Sequence, residues 1–541
     1  MEQSDARISS PEISASPVQQ THGIELETLK NANKNSSKKD AEALPDDEGS
    51  QSKQKKSLAF KLAFIGLSAT LFVFQVDATA LGIALPTIAN DLKGSSLESF
   101  WANLSYTLCG LVMQPVWASI SDAFGRKPPL YVCICLFFIG SITFAVAQNM
   151  KTIIVGRVLQ GFGGGGIDVL IQVILADMTT LEERSKYLGL MGIPNAVGNI
   201  RAICRSFVFY LRPVTMDASL ASNIERLDWI GMSLVVSGIT VFVLPLSWAG
   251  SLFPWAAWQT LVPMVLGVFV LVAFVFYEAK PAAPIMPHRL FHSITANMTL
   301  LGGFIHGAIL VSLLQYLPLI YQAVYLETPI KSAIFLLPTS IISVFIAVIS
   351  MMMVPWFGGY TWLLRFSWAL LALGTGILAL FNLSSPSPML FGLPVIWGTG
   401  VALLRLNLLP MQASVKNVDD TGVAIGQFLT IRMFGGLIGL TIASAIFNTV
   451  FAKTIASSSL QLTGPLAPLE DASKAVAFIK ELGSLSISRG TLNEVLRVYL
   501  ECFRTIFYTM AGLGALGLLT SMFLEEIDLK SQGRGNQRFE D

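Results

Sequence analysis

Twelve stretches of this chain are long and apolar enough to cross a bilayer, and they constrain its architecture more than any other feature. A spanning helix needs about 20 mostly apolar residues. Such runs occur at 60–83, 100–121, 129–148, 152–176, 229–249, 257–277, 296–320, 331–356, 362–381, 388–409, 423–449 and 504–524. Only 13% of the residues are charged, and the 36 basic and 35 acidic side chains nearly cancel. A soluble domain carries about 25% charged residues. The deficit excludes a soluble enzyme, a disordered regulator and a nucleic-acid binder. Five cysteines cannot all pair within one chain and make no disulfide framework. We therefore expect an all-α polytopic membrane protein.

Residues 1–57 are polar, with no apolar core of a signal peptide, and read as a disordered cytosolic tail. Lys53, Lys55, Lys56 and Lys61 precede or open the first run, which places the N-terminus in the cytosol by the positive-inside rule. Arg126 and Lys127, then Arg184 and Lys186, fall in loops that the same orientation puts in the cytosol. Pro281 to Pro287, with His288 and Arg289, reads as a cytosolic connector. The stretch 450–503, with an amphipathic piece around Ala475 to Leu500, is expected outside, and 526–541 forms a second cytosolic tail. Residues 187–226 break the pattern. Both ends look cytosolic, yet two spans need about 40 residues, and this stretch holds Arg201, Arg205, Arg212, Asp217 and Glu225.

The loop after the second run reads Ser121-Asp122-Ala123-Phe124-Gly125-Arg126-Lys127. An acid beside two cations on a tight turn suits a releasable gate, although plain positive-inside anchoring would also explain them. In the fourth run Arg157, Gly161, Gly164 and Asp168 share one helical face, with Gln160 and Gly163 adjacent. Small residues there allow close helix packing, and ionisable groups inside a membrane default to a functional reading. Asp77 in the first run and Arg157 lie roughly 8–9 Å inside their helices at a similar depth, at 1.5 Å per residue. An Asp77–Arg157 pair is therefore allowed, and it is the best proton-linked pair in the chain.

Together these segments resemble the major facilitator superfamily, and most closely the fourteen-span drug:proton antiporters of fungi. Asp122, Gly125, Arg126 and Lys127 match the loop signature G-x-x-x-D-x-x-G-R-K/R, with Ala118 in place of its first glycine. Arg157, Gln160, Gly161 and Gly163 match R-x-x-Q-G-x-G, and Asp77, Thr79, Ala84, Leu85 and Pro86 match D-x-T-x-x-x-x-A-L-P. Leu227 to Gly231 and Arg432-x-x-Gly435-Gly436-x-x-Gly439 are also similar to family segments. The resemblance implies two six-helix bundles, 58–226 and 281–525, with linking spans in 227–280. It implies alternating access around a central cavity, Asp77 coupling to protons with Arg157 modulating it, and Asp122, Arg126 and Lys127 as a cytosolic latch. The fifth-span signature is only faintly kept at Gly192-Ile193-Pro194 and Gly198-Asn199, so the fifth and sixth spans read as degraded.

His306 lies in an apolar run beside Gly302, Gly303 and Gly307, and either lines a cavity or is a hydrogen-bonded structural histidine. Arg365 and Arg432 read as snorkelling residues, whereas Arg405 and Asn407 sit deep enough for a cavity role. No Walker motif is present, which leaves ATP out as driver, and no metal or cofactor arrangement stands out. The sequence thus predicts a non-enzymatic secondary transporter that exports drugs, toxins or secondary metabolites against inward proton flow. Its partners would be a small amphipathic organic substrate, protons and lipid. The plasma membrane is the expected location, with the vacuolar membrane as the alternative. Two rivals remain: an importer or facilitator of a nutrient or iron chelate with the same fold, and a decayed member that transports nothing.

Overall fold

The computed structural model describes residues 57–92, 96–191, 227–249, 253–281, 283–357, 359–458, 460, 462–485 and 487–529. The predicted tails and the stretch 187–226 lie outside these residues, except for Ser57, 187–191 and 526–529. Helices α1 (Leu58–Asp91), α2 (Ser96–Phe124), α3 (Lys127–Ala145), α4 (Met150–Met178) and the short α5 (Leu181–Leu190) form the N-terminal group. A pair follows, α6 (Trp229–Trp248) and α7 (Trp258–Tyr277). The C-terminal group comprises α8 (Ile294–Ala323), α9 (Pro329–Phe357), α10 (Thr361–Ile377), α11 (Ser387–Leu403), α12 (Leu408–Ala413), α13 (Thr421–Ser457), α14 (Ala475–Leu482) and α15 (Arg489–Met522). Among the described residues the only β pairing is an isolated bridge between Ala249 and Phe253.

Every predicted run falls on a helix, and ten helical segments are long and apolar enough to span a bilayer among the described residues. The helix starts are set by local side chains that accept otherwise orphaned backbone N–H groups. Asn149 accepts from Thr152 N–H at 2.9 Å, Asp228 from Gly231 N–H at 2.9 Å and Ser488 from Thr491 N–H at 3.1 Å. Two of the differences from the sequence reading have a clear physical cause. The run 388–409 is interrupted by a 3-10 turn at Leu404–Asn407. Pro410 follows it, and a proline inside a helix lacks the N–H for, and crowds, the carbonyl four residues back, here that of Leu406. The last helix begins at Arg489 rather than near 504, because its charged first half still buries Val495, Tyr499 and Phe503 on one face. Tyr499 meets Phe451 edge-on at 5.2 Å, and Phe503 meets Phe447 at 5.6 Å. The amphipathic piece expected at Ala475 to Leu500 is thus divided between α14 and the start of α15.

Helix α4 is the most enclosed of the spans and packs against α1, α2 and α3. In the C-terminal group α8 packs on α13 and α15, α10 on α11 and α15, and α9 on α11. Helix α7 is the least enclosed of the described spans, with its Phe269 and Phe276 67% and 75% exposed, as suits lipid-facing side chains. It is anchored by α6, whose Val235 and Ile239 join an apolar cluster with Val112 and Val116 of α2. A second cluster unites the two groups at the end of the molecule that carries the Gly125 turn. It contains Trp117 and Ala118 of α2, Ile171 of α4, Met411 of α12, and Ala424 and Phe428 of α13.

The base of the α6–α7 pair holds two buried carboxyl groups. Asp228 Oδ1 accepts from Tyr277 Oη–H at 3.0 Å, and Glu278 Oε2 accepts from the Met286 N–H at 3.0 Å. Asp228 Oδ2 and Glu278 Oε1 lack hydrogen-bond partners among the described residues. Both crowd the space a side chain at Gly231 would need, so only glycine fits there. Burial holds the Glu278 carboxyl above the usual carboxylate range. The Met286 amide opposes this, and the charge of Asp228 adds to it. In the unfolded chain Glu278 ionises at lower pH than in the folded one, so stability falls as pH rises from its unfolded pKa through its raised folded value. Glu278→Gln should therefore raise the melting temperature at pH 7 and flatten its decline between about pH 4.5 and 7. Thermal unfolding of the two purified proteins across that range checks both expectations.

Candidate functional site

Gly125 takes φ of +80°, the left-handed conformation that lets α2 reverse into α3 within two residues. That reversal folds Arg126 inward. Its guanidinium is 6% exposed, donates from Nε to Asp177 Oδ2 at 2.7 Å and from Nη1 to Ser121 Oγ at 2.8 Å, and pairs with Asp122. Burial works against its charge, but Asp177 and Asp122 more than offset that and hold its pKa above the ordinary arginine value. Asp177, at the end of α4, is the member that sequence reasoning missed; an acid closing the fourth span was its only signal. Lys127 lies over the Tyr131 ring at 5.7 Å. The Arg126 cluster meets the C-terminal group at Gly422, the second residue of α13. A side chain there would lie 3.0 Å from Arg126 Nη2 and 3.2 Å from Asp122 Oδ1.

The glycine run of α4 works through close approach in several directions. Gly161 faces the backbone of Tyr106 on α2, and Gly163 faces the backbone of Cys133 and Phe137 on α3. Gly164 faces the Phe74 ring on α1, and Gly165 faces the backbone of Gly110 on α2. Any larger residue would push a neighbouring helix away. Gln160 donates to Ser141 Oγ on α3 at 2.9 Å. Arg157 is 2% exposed, its guanidinium 4.9 Å from the Tyr106 ring centre and 5.2 Å from that of Phe144. Asp77 belongs to α1, but its side chain lies outside the described residues, and so does the predicted Asp77–Arg157 contact.

Asp168, two residues beyond the glycine run, is 6% exposed. Its Oδ2 accepts from Gln114 Nε2 at 3.0 Å and its Oδ1 from Gln172 Nε2 at 3.3 Å. It borders a cavity of about 90 Å³ between the N- and C-terminal groups. Arg405, on the 3-10 turn after α11, and Arg432 of α13 line the opposite side. The cavity role read for Arg405 has this placement, whereas Arg432 faces the cavity rather than snorkelling. Its signal was position: eleven residues into a 37-residue helix it is too deep to reach an interface. Arg365 instead donates to the carbonyls of Ser521 and Leu524 at 3.4 and 3.3 Å, where α15 ends. His306 is 2% exposed, with no hydrogen-bond partner on either ring nitrogen among the described residues, and does not line the cavity. Arg184 of α5 crosses between the groups, donating to Gln412 Oε1 at 3.2 Å and to the Ala176 carbonyl at 2.7 Å.

Comparison with known proteins decides the family. A relative in Aspergillus fumigatus, described as MFS-type transporter sphD, is 72% identical over 515 residues, covering 90% of this chain and 89% of that protein. The chain belongs to the major facilitator superfamily. The superfamily profile itself matches residues 67–203, and that of the fungal trichothecene efflux pump matches 208–330. "Efflux pump FUS6" of Gibberella fujikuroi is 30% identical over 533 residues, covering 92% of this chain and 95% of that one. The fold is that of solved transporters. A bacterial homologue of the human lysosomal transporter Spinster, inward-facing and occupied, aligns with a TM-score of 0.51 at 16% identity, over 87% of this chain and 97% of that one. A double-tryptophan mutant of XylE aligns with a TM-score of 0.51 at 12% identity, over 87% and 96% of the two chains. The chain is thus a multi-pass membrane transporter of a non-enzymatic family.

Arg126→Ala would leave Asp122 and Asp177 without their shared cation. Breaking a buried ion pair on one side costs about 3–5 kcal/mol. The expected result is a melting temperature lower by several degrees, with a smaller loss for Asp177→Asn, which keeps a hydrogen-bond acceptor. Thermal unfolding of the detergent-purified variants measures both.

Proposed function

We propose that this transporter exports small amphipathic organic compounds (drugs, toxins or secondary metabolites) against inward proton flow, by alternating access. One observation carries the reading: a charged cavity built by α4 from one helix group and by α13 and the turn after α11 from the other. A site divided between two groups opens to one face or the other when the groups rock, without being dismantled. The latch end is the cytosolic end by its basic residues. There the groups are packed together by the Trp117–Phe428 cluster and by the Arg184–Gln412 bond. The outward direction is supported by relatives described as efflux pumps. Protons are the proposed driver, with Asp77 as carrier and Arg157 setting its affinity. Asp122, Arg126 and Asp177 hold the cytosolic ends of α2 and α4 in register as the groups move.

The test is uptake of a panel of amphipathic compounds into inside-out vesicles under an imposed proton gradient, acidic inside. We expect uptake that collapses with the gradient. Asp77→Asn should bring it to background at equal membrane abundance. Full gradient-driven flux in Asp77→Asn would remove that residue from the role, and uptake that ignores the gradient would remove proton coupling.

A further inference from the structure

The charge balance of the cavity narrows the substrate class. Asp168 is its one carboxylate among the described lining residues, and Arg405 and Arg432 are its two cations. In a tight site one arginine would pair with Asp168 and leave a single charge over. That is not the arrangement here. No nitrogen of either arginine lies within 4 Å of an Asp168 oxygen, and both oxygens are held by the neutral amides of Gln114 and Gln172. Neither guanidinium has a hydrogen-bond partner among the described residues, although each carries five N–H donors in a planar fork. Arg405 remains well exposed within the cavity wall. The two guanidiniums lie close enough to repel one another and share only the more distant charge of Asp168, so a further anion placed between them is stabilised.

The other walls are apolar. Leu71, Met191, Met351, Leu408 and Phe428 come from five different helices or their ends. Two methionines and a phenylalanine give a surface that re-packs around varied hydrocarbon shapes. The forked donors prefer a planar two-oxygen acceptor, which a carboxylate supplies and a tertiary amine does not.

We propose that the cavity takes the carboxylate end of an amphipathic organic acid, held by Arg405 and Arg432, with the adjoining part of its apolar body against Met191, Met351 and Phe428 and the rest extending beyond the cavity. The proposal rests on the transport reading above for its biological use, but binding can be measured without transport. The contribution of Asp168 is selectivity: it repels a second negative charge and accepts a neighbouring donor or cation on the same ligand. Monoanions and zwitterions therefore fit, and dianions do not.

The experiment is equilibrium binding of dansylaminoundecanoic acid, followed by its fluorescence, to the full chain in lipid nanodiscs. Its methyl ester and the cationic dye rhodamine 6G serve as competitors. We expect saturable binding of the acid, at least about tenfold weaker binding of the ester, and no competition from the dye. Arg405→Gln and Arg432→Gln should each weaken the acid by about tenfold and leave the ester unchanged. Arg432→Lys, which keeps the charge without the fork, should recover part of the loss. Equal affinity for acid and ester, absence of saturable acid binding in folded nanodisc samples, or tighter dye binding in the glutamine variants overturns the proposal. Acid binding as expected, with no gradient-driven uptake of any compound, would leave this proposal standing and remove the export reading alone.

Discussion

The close approach of α4 to its three neighbours is the constraint on which the N-terminal helix group depends. Glycine costs a helix roughly 1 kcal/mol per residue relative to alanine in water, so four in succession at Gly163–Gly166 would ordinarily weaken it. Inside a bilayer the alternative to a helix is a backbone with no hydrogen-bond partner, and that penalty is larger. The run therefore stays helical, and its missing side chains become contact area. Gly163 admits the α3 backbone, Gly164 the Phe74 ring and Gly165 the α2 backbone. With α2 this near, Gln114 reaches Asp168, and a carboxylate can be held beside the cavity without a direct ion pair.

The molecule manages its buried charge in two ways. At the Gly125 turn, opposite charges touch: Arg126 joins Asp122 and Asp177. Around the cavity, charges are kept apart, with Asp168 on amides and Arg405 and Arg432 across the gap. The first arrangement is what a fixed structural joint needs. The second leaves bonding capacity unspent, which is what a binding site needs. Each draws a carboxylate from the same helix, α4, and the unbroken helical stretch from Asp168 to Asp177 fixes the distance between them.

Much of this was legible in the sequence, because in a bilayer the length and apolarity of a run nearly determine its structure. The Asp122–Arg126 turn and the glycine face of α4 were legible from spacing. What sequence reading lacked was the third dimension. Asp177 is far along the chain from Arg126, and only the α4 path brings it within 2.7 Å. Arg432 resembled an anchoring residue because apolar runs do not say which face of a helix meets a cavity. The start of α15 was placed late because its charges lower local hydropathy, although Val495, Tyr499 and Phe503 continue one buried stripe. Pro410 and the 3-10 turn before it are readable in principle, yet apolarity alone makes 388–409 look like one unbroken helix through Arg405 and Asn407.

Gly422 gives the latch a property beyond geometry. The C-terminal group touches Arg126 and Asp122 there through a residue with no side chain, while the ionic partners of Arg126 all belong to α2 and α4. Parting the two groups in the proposed cycle therefore leaves the Arg126–Asp122 and Arg126–Asp177 pairs in place. What it separates is mainly the apolar surface of Trp117, Ala118, Ala424 and Phe428. Exposing apolar surface carries a large positive heat capacity and responds weakly to screening by salt. At this end of the molecule, the balance of the proposed cycle would thus respond to temperature more than to ionic strength.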